Sequence, residues 1–223
     1  MSRTAAIFGL HSALDMGERT RLRYVNVMRR QLNDFDVREG AYRRLLGHAS
    51  ACPNTRIVDE LGLGHGACRV DIAVINGHIR GLEIKSDLDV LDRLPHQVAA
   101  YGDVVDKATL LAAPRHLDAA IKILPDWWGV MIVEPSPTSV RFRKVRSERV
   151  NRGVDPMMVA RLLWHPEAAS LLRTLGKPES FLRRPRETLY RELVALLPRR
   201  VLGYHVREIL KAREGWRDHR PPS

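Results

Sequence analysis

The chain has 223 residues, a formal net charge of +11 and a hydrophobic fraction of 44%. That composition is enough for a packed core and argues against global disorder, and no apolar run approaches the length of a bilayer span. The apolar piece AAIFGL near the start lacks a basic leader and is soon followed by His11, Asp15 and Glu18, so it does not read as a signal peptide. In chain order, residues 19–32 place Leu22, Val25 and Met28 at helical spacing, and residues 36–47 predict a second helix with Gly47 as its stop. A strand is expected over 55–63. Two apolar runs follow, one opening at Asp71 and one closing on Glu83-Ile84-Lys85, with Asn76-Gly77 between them as a two-residue hairpin signal. A helix is expected over 88–101, with Pro95 at its start or at a kink, then a buried strand over 107–113. A short helix near 117–124 and strands at 129–133 and 139–145 complete this part.

From Asp155 the texture changes to helices opened by proline, at Asp155-Pro156, Pro166-Glu167 and Pro185, with a last helix over about 201–213. The final residues, 218–223, are expected to be disordered. The predicted division is an α/β domain over 1–150, including the N-terminal helices, and a basic all-helical segment over 151–223. Charge follows a similar division. Residues 141–223 hold 20 of the 37 Lys and Arg and 9 of the 26 Asp and Glu, which leaves 17 of each sign for residues 1–140. The whole excess therefore sits in the last part of the chain. A localised basic surface points to a polyanion, above all nucleic acid, against the plainer reading of a solvated Arg-rich face. Two cysteines, Cys52 and Cys68, fit a reduced, cytoplasmic setting better than a disulfide framework. No membrane partner is expected. The sequence leaves a homodimer open and names no protein partner.

The stretch from Asp71 to Lys85 carries the most chemistry. Alternation puts Glu83 and Lys85 on one face of a strand and Ile84 on the other. A hairpin brings Asp71 to the same end of the ladder. Carboxylates are hard ligands for a divalent ion that activates water and steadies a pentavalent phosphate, and a neighbouring lysine offsets the charge. Asp71, Glu83 and the backbone carbonyl of Ile84 are the candidate metal ligands. Each has a plain alternative: Glu83 and Lys85 as an exposed pair worth little, Asp71 as a turn cap, Glu60 as a surface acid.

Glu60, Asp71, Glu83-Ile84-Lys85 and the helix pair Gln97 and Tyr101 together resemble the PD-(D/E)XK nuclease superfamily, in the branch with a QxxxY helix after the catalytic strands. The resemblance covers about residues 55–133, and it departs from the pattern where Val70, not proline, precedes Asp71. It implies a restriction-endonuclease-like mixed central sheet flanked by helices. It also implies Mg²⁺- or Mn²⁺-dependent hydrolysis of DNA, in bacterial repair, restriction or defence. Carried over by position, Asp71 and Glu83 hold metal and Lys85 is catalytic. Glu60 is the preceding acid, and Gln97 and Tyr101 steady the lysine or a phosphate. The alternative is a non-catalytic DNA-binding or regulatory protein that keeps the fold, with the last two helices as a helix-turn-helix-like unit. His48, Cys52, His65 and Cys68 offer a rival zinc-like spacing, weaker because such short matches recur by chance. Trp127-Trp128 reads better as core than as a base-stacking platform.

Overall fold

The computed structural model describes residues 30–52 and 54–215. The helix expected over 19–32 lies outside them except for its last three residues, and so does the end expected to be disordered. Helix α1 (Asp34–Ala51) starts two residues earlier than predicted. Asn33 and Asp36 explain this: each side chain accepts a hydrogen bond from the other's backbone N–H, at 2.9 and 3.2 Å. This reciprocal cap satisfies amides that the first turn leaves without helical partners. Gly47 does not stop the helix, which runs on to Ala51.

Strands β1 (Arg56–Leu63), β2 (Cys68–Ile75) and β3 (Ile79–Lys85) form an antiparallel meander. Ile75 pairs with Ile79, so the turn holds three residues, not the two that Asn76-Gly77 suggested. The Asn76 side-chain oxygen accepts from His78 N at 3.2 Å and closes it. Helix α2 (Leu94–Val104) begins six residues later than expected. The carboxylate of Asp89 takes the Ser86 N–H at 2.7 Å, and this local bond competes with helix over the residues that precede α2. Then come β4 (Lys107–Ala112), α3 (Leu117–Ile123), β5 (Gly129–Pro135) and the edge strand β6 (Val140–Arg146).

The six strands lie in the order β1-β2-β3-β4-β5-β6, parallel at β3-β4-β5 and antiparallel on both flanks. A parallel neighbour needs a crossover, and α2 and α3 supply the two required here. The central strand β4 is buried from Ala108 to Ala112, and apolar there except for Thr109, as a strand covered on both faces should be. At the edge, Arg141, Arg143 and Lys144 of β6 are exposed and discourage pairing with another chain.

Each face of the sheet has its own core. On one, Val37, Ala41 and Tyr42 of α1 cover Ile72, Leu82, Ile84, Leu111 and Val133. On the other lie α2 and α3, together with helices α4 (Pro156–Ala160), α5 (His165–Thr174), α6 (Glu179–Leu182), α7 (Arg186–Leu196) and α8 (Arg199–Ala212). Val159, Leu172, Leu189, Leu193, Leu202, Val206 and Leu210 from these helices join Val58, Val70, Ala73 and Leu110 of the sheet in a single cluster. The coarse expectation of a mixed α/β sheet flanked by helices therefore holds, and the basic C-terminal segment is helical as read. Asp155 caps α4 by accepting from Met157 N at 2.8 Å. Among the described residues no helix is long and apolar enough to cross a membrane.

Candidate functional site

At the end of β3 the alternation has the expected outcome. Ile84 packs toward α1, while Glu83 and Lys85 face α2. Both are buried, with Glu83 fully excluded from solvent. One Glu83 oxygen accepts from Lys85 Nζ at 2.7 Å and the other from the Tyr101 hydroxyl, also at 2.7 Å. Burial and the negative charges of Glu83 and Asp71 hold the Tyr101 phenol well above its usual range, so it stays a donor. Tyr101 can lie this close because Gly81 has no side chain: a Cβ there would stand 2.7 Å from the tyrosine ring. Trp128 stacks behind Tyr101 with ring centres 5.0 Å apart and is fully buried, so it belongs to the core.

Asp71 occupies the last position before the β2–β3 ladder begins at the Ile72–Leu82 pair. Its carboxylate accepts from Ile84 N at 2.8 Å and so replaces a ladder carbonyl. Burial, and next the Glu83 charge, push its carboxyl up to about 7 against the pull of the Ile84 N–H, Arg38 and Lys85. Arg38 reaches over from α1 to bind the Asp71 carbonyl at 2.8 Å and Asp59 at 3.0 Å. Sequence reading missed Arg38, since nothing near it in the chain marks it as a strand-binding residue.

The remaining predicted residues are placed differently. Glu60 is exposed, adopts a left-handed φ of 51°, and pairs with Arg69 at 3.5 Å. Gln97 lies one helical turn before Tyr101, and its buried side-chain oxygen finds no hydrogen-bond partner. Ile84 contributes its N–H to Asp71. The structure thus brings Asp71, Glu83, Lys85 and Tyr101 into one polar cluster.

Several of these groups already satisfy one another. Among the described residues no three His, Cys, Asp or Glu side chains gather as metal ligands. The Glu83 oxygens serve Lys85 and Tyr101, and an Asp71 oxygen serves the backbone. The residues present do not fit the Mg²⁺ or Mn²⁺ site that the resemblance implied, and no hydrolytic step follows from them. Of the zinc-like set, the side chain of His48 lies outside what the structure describes, and His65 and Cys68 are engaged elsewhere. His65 faces Glu187 at 3.3 Å and stacks on Tyr190, while the Cys68 thiol donates to its neighbour's carbonyl. The glycine-rich loop around His65 therefore docks on α7.

The other candidate surface is basic. Arg152, Arg183, Arg186, Arg191, Arg199 and Arg200 are all exposed on or beside the C-terminal helices. Helices α7 and α8 follow each other across only Leu197 and Pro198.

No solved structure matches the chain. Among curated proteins it is similar to protein cII of Enterobacteria phage P4, with 29% identity over 120 residues. The match covers 54% of this chain and 46% of that protein, so the chain spans about half the length of the curated relative it matches. The model of the family described as Bacteriophage P4 protein cII matches residues 43–215, well over half the chain. That finding overturns the PD-(D/E)XK resemblance, and with it the expected nuclease, hydrolase and deoxyribonuclease activity. The chain belongs to the bacteriophage P4 cII protein family.

Proposed function

We propose that this chain is a non-catalytic regulatory protein that binds DNA through its basic C-terminal helices. The observation that carries this reading is charge segregation. All of the net +11 lies in residues 141–223, and Arg183, Arg186, Arg191, Arg199 and Arg200 of that segment stand exposed on or beside helices whose apolar sides are buried against the sheet. Such a surface attracts phosphate backbones and releases their counterions on binding. Two further points support it. The similar P4 protein is a phage protein, and the one cluster with catalytic-looking residues is spent on internal bonds.

The test is anisotropy of labelled duplex DNA with the full chain over a range of salt, with the DNA then examined for cleavage in Mg²⁺, Mn²⁺ and EDTA. Tight binding that weakens steeply with salt, with DNA intact under all three conditions, is expected. Six to ten phosphate contacts would cost about 10³–10⁵ in affinity between 50 and 200 mM salt. Absence of binding at low salt, or binding indifferent to salt, overturns the reading.

A further inference from the structure

One cleft concentrates the positive charge. It has a volume of about 610 Å³ and lies between the β2–β3 turn, the segment around Asn151 and the first turn of α8. Arg152, Arg199, Arg200 and Arg207 line it, with His78 at the tip of the turn. Among the described residues Asp106 is the only carboxylate on its wall, and it is already engaged. One Asp106 oxygen accepts from Ile79 N at 2.8 Å and faces Arg207 at 3.9 Å. Four guanidinium groups against one occupied carboxylate leave a surplus of three positive charges before His78 is counted.

The cleft is built on a rigid base. Asn151 is buried, and its side chain binds the carbonyls of Gly102 and Val105 at 2.7 and 3.0 Å and accepts from Gly153 N at 2.8 Å. That lock fixes Arg152, whose carbonyl accepts from Arg199 Nη1 at 3.1 Å. Among the described residues the exposed guanidinium groups of Arg152 and Arg200 have no acidic partner and stay open to an anion. The start of α8, opened by Pro198, adds the partial positive charge of a helix N-terminus.

We propose that this cleft is a phosphate-binding site that seats the backbone of nucleic acid, with Arg152, Arg199 and Arg200 donating to phosphate oxygens and Arg207 anchored at its back by Asp106. The proposal rests on the DNA-binding reading and places its main contact. Guanidinium forks suit phosphate oxygens, and such contacts set register on a backbone without reading sequence.

The test uses the full chain, the double variant Arg152→Ala/Arg200→Ala, and a control, Arg141→Ala/Arg143→Ala, on the far edge strand. Neither cleft guanidinium holds another described residue, so the melting temperature should be unchanged. Labelled duplex DNA is titrated across salt, and inorganic phosphate is titrated while the NMR signals of His78 and the arginine side chains are followed. The cleft variant is expected to lose about tenfold or more in affinity and to reduce the salt slope by about 2, while the control changes neither. Phosphate should shift the His78 and Arg200 signals. DNA binding with an unaltered slope in the cleft variant overturns the cleft and leaves the DNA reading standing. Failure to bind DNA while phosphate still shifts those signals overturns the DNA reading and keeps a phosphate site. Failure of both overturns both.

Discussion

At the scale of single residues, Asp71 is held by opposing demands. Its carboxylate closes a ladder position, yet burial and Glu83 favour its neutral form. The folded carboxyl, at about 7, stands above its unfolded value of 3.8. Its contribution to stability is therefore complete below about pH 4 and is lost as pH rises through 7. Asp71→Asn keeps an acceptor for Ile84 N–H without the charge. We expect the variant to match wild type near pH 4 and to exceed it above pH 8, read from urea unfolding at several pH values. Equal stability at pH 8 would show that the charge is not destabilising. The sequence located Asp71 because a lone acid at the mouth of an apolar run is conspicuous. It could not show that the acid is bonded to a backbone amide, since that depends on where β3 lies against it.

At the scale of elements, the polar cluster is a joint. Glu83 and Lys85 belong to β3 and Tyr101 to α2, and one carboxylate binds both. Removing one partner of a buried pair strands the other charge. Glu83→Ala should therefore cost about 3–5 kcal/mol by denaturant melts. Tyr101→Phe, which removes only a hydroxyl, should cost about 1–3 kcal/mol. If the two are equal, Lys85 does not depend on Glu83. A second joint ties the end of α8 to the start of α5. Arg213 binds both oxygens of Glu167 at 2.6 Å and the Leu162 carbonyl at 2.8 Å, and lies over Trp164. Arg213→Ala should lower stability by about 3 kcal/mol and speed amide exchange in the last turn of α8. Unchanged exchange there would remove this role. Strand periodicity made β2 through β5 legible, and proline-led starts marked α4, α5 and α7. The shift in the start of α2 and the three-residue turn at Asn76 were not legible. In both, a side-chain oxygen competes for a backbone amide, a contest that apolar spacing does not record. The second joint escaped for another reason: Arg213 and Glu167 are 46 residues apart in the chain.

At the scale of the whole molecule, a short acidic motif and a global charge pattern point to different functions. Asp71, Glu83, Lys85, Gln97 and Tyr101 have the residue types and spacing of a nuclease. Spacing cannot distinguish a carboxylate kept open for a metal from one closed by its own lysine and tyrosine. The charge asymmetry was legible because counting needs no fold. The cleft that gathers four of those arginines was not, because Arg152 and Arg207 meet only once α8 lies across the segment around Asn151. The shared core has a last consequence, for biosynthesis. Leu202, Val206 and Leu210 close the same cluster that begins at Val58. A ribosome making this chain therefore completes the sheet, with α2 and α3 on its second face, before α4 to α8, which finish covering that face, have emerged. During that interval the part of the sheet that α4 to α8 will cover leaves apolar residues such as Val58 and Val70 open to other chains, the condition under which a folding chain is prone to aggregate.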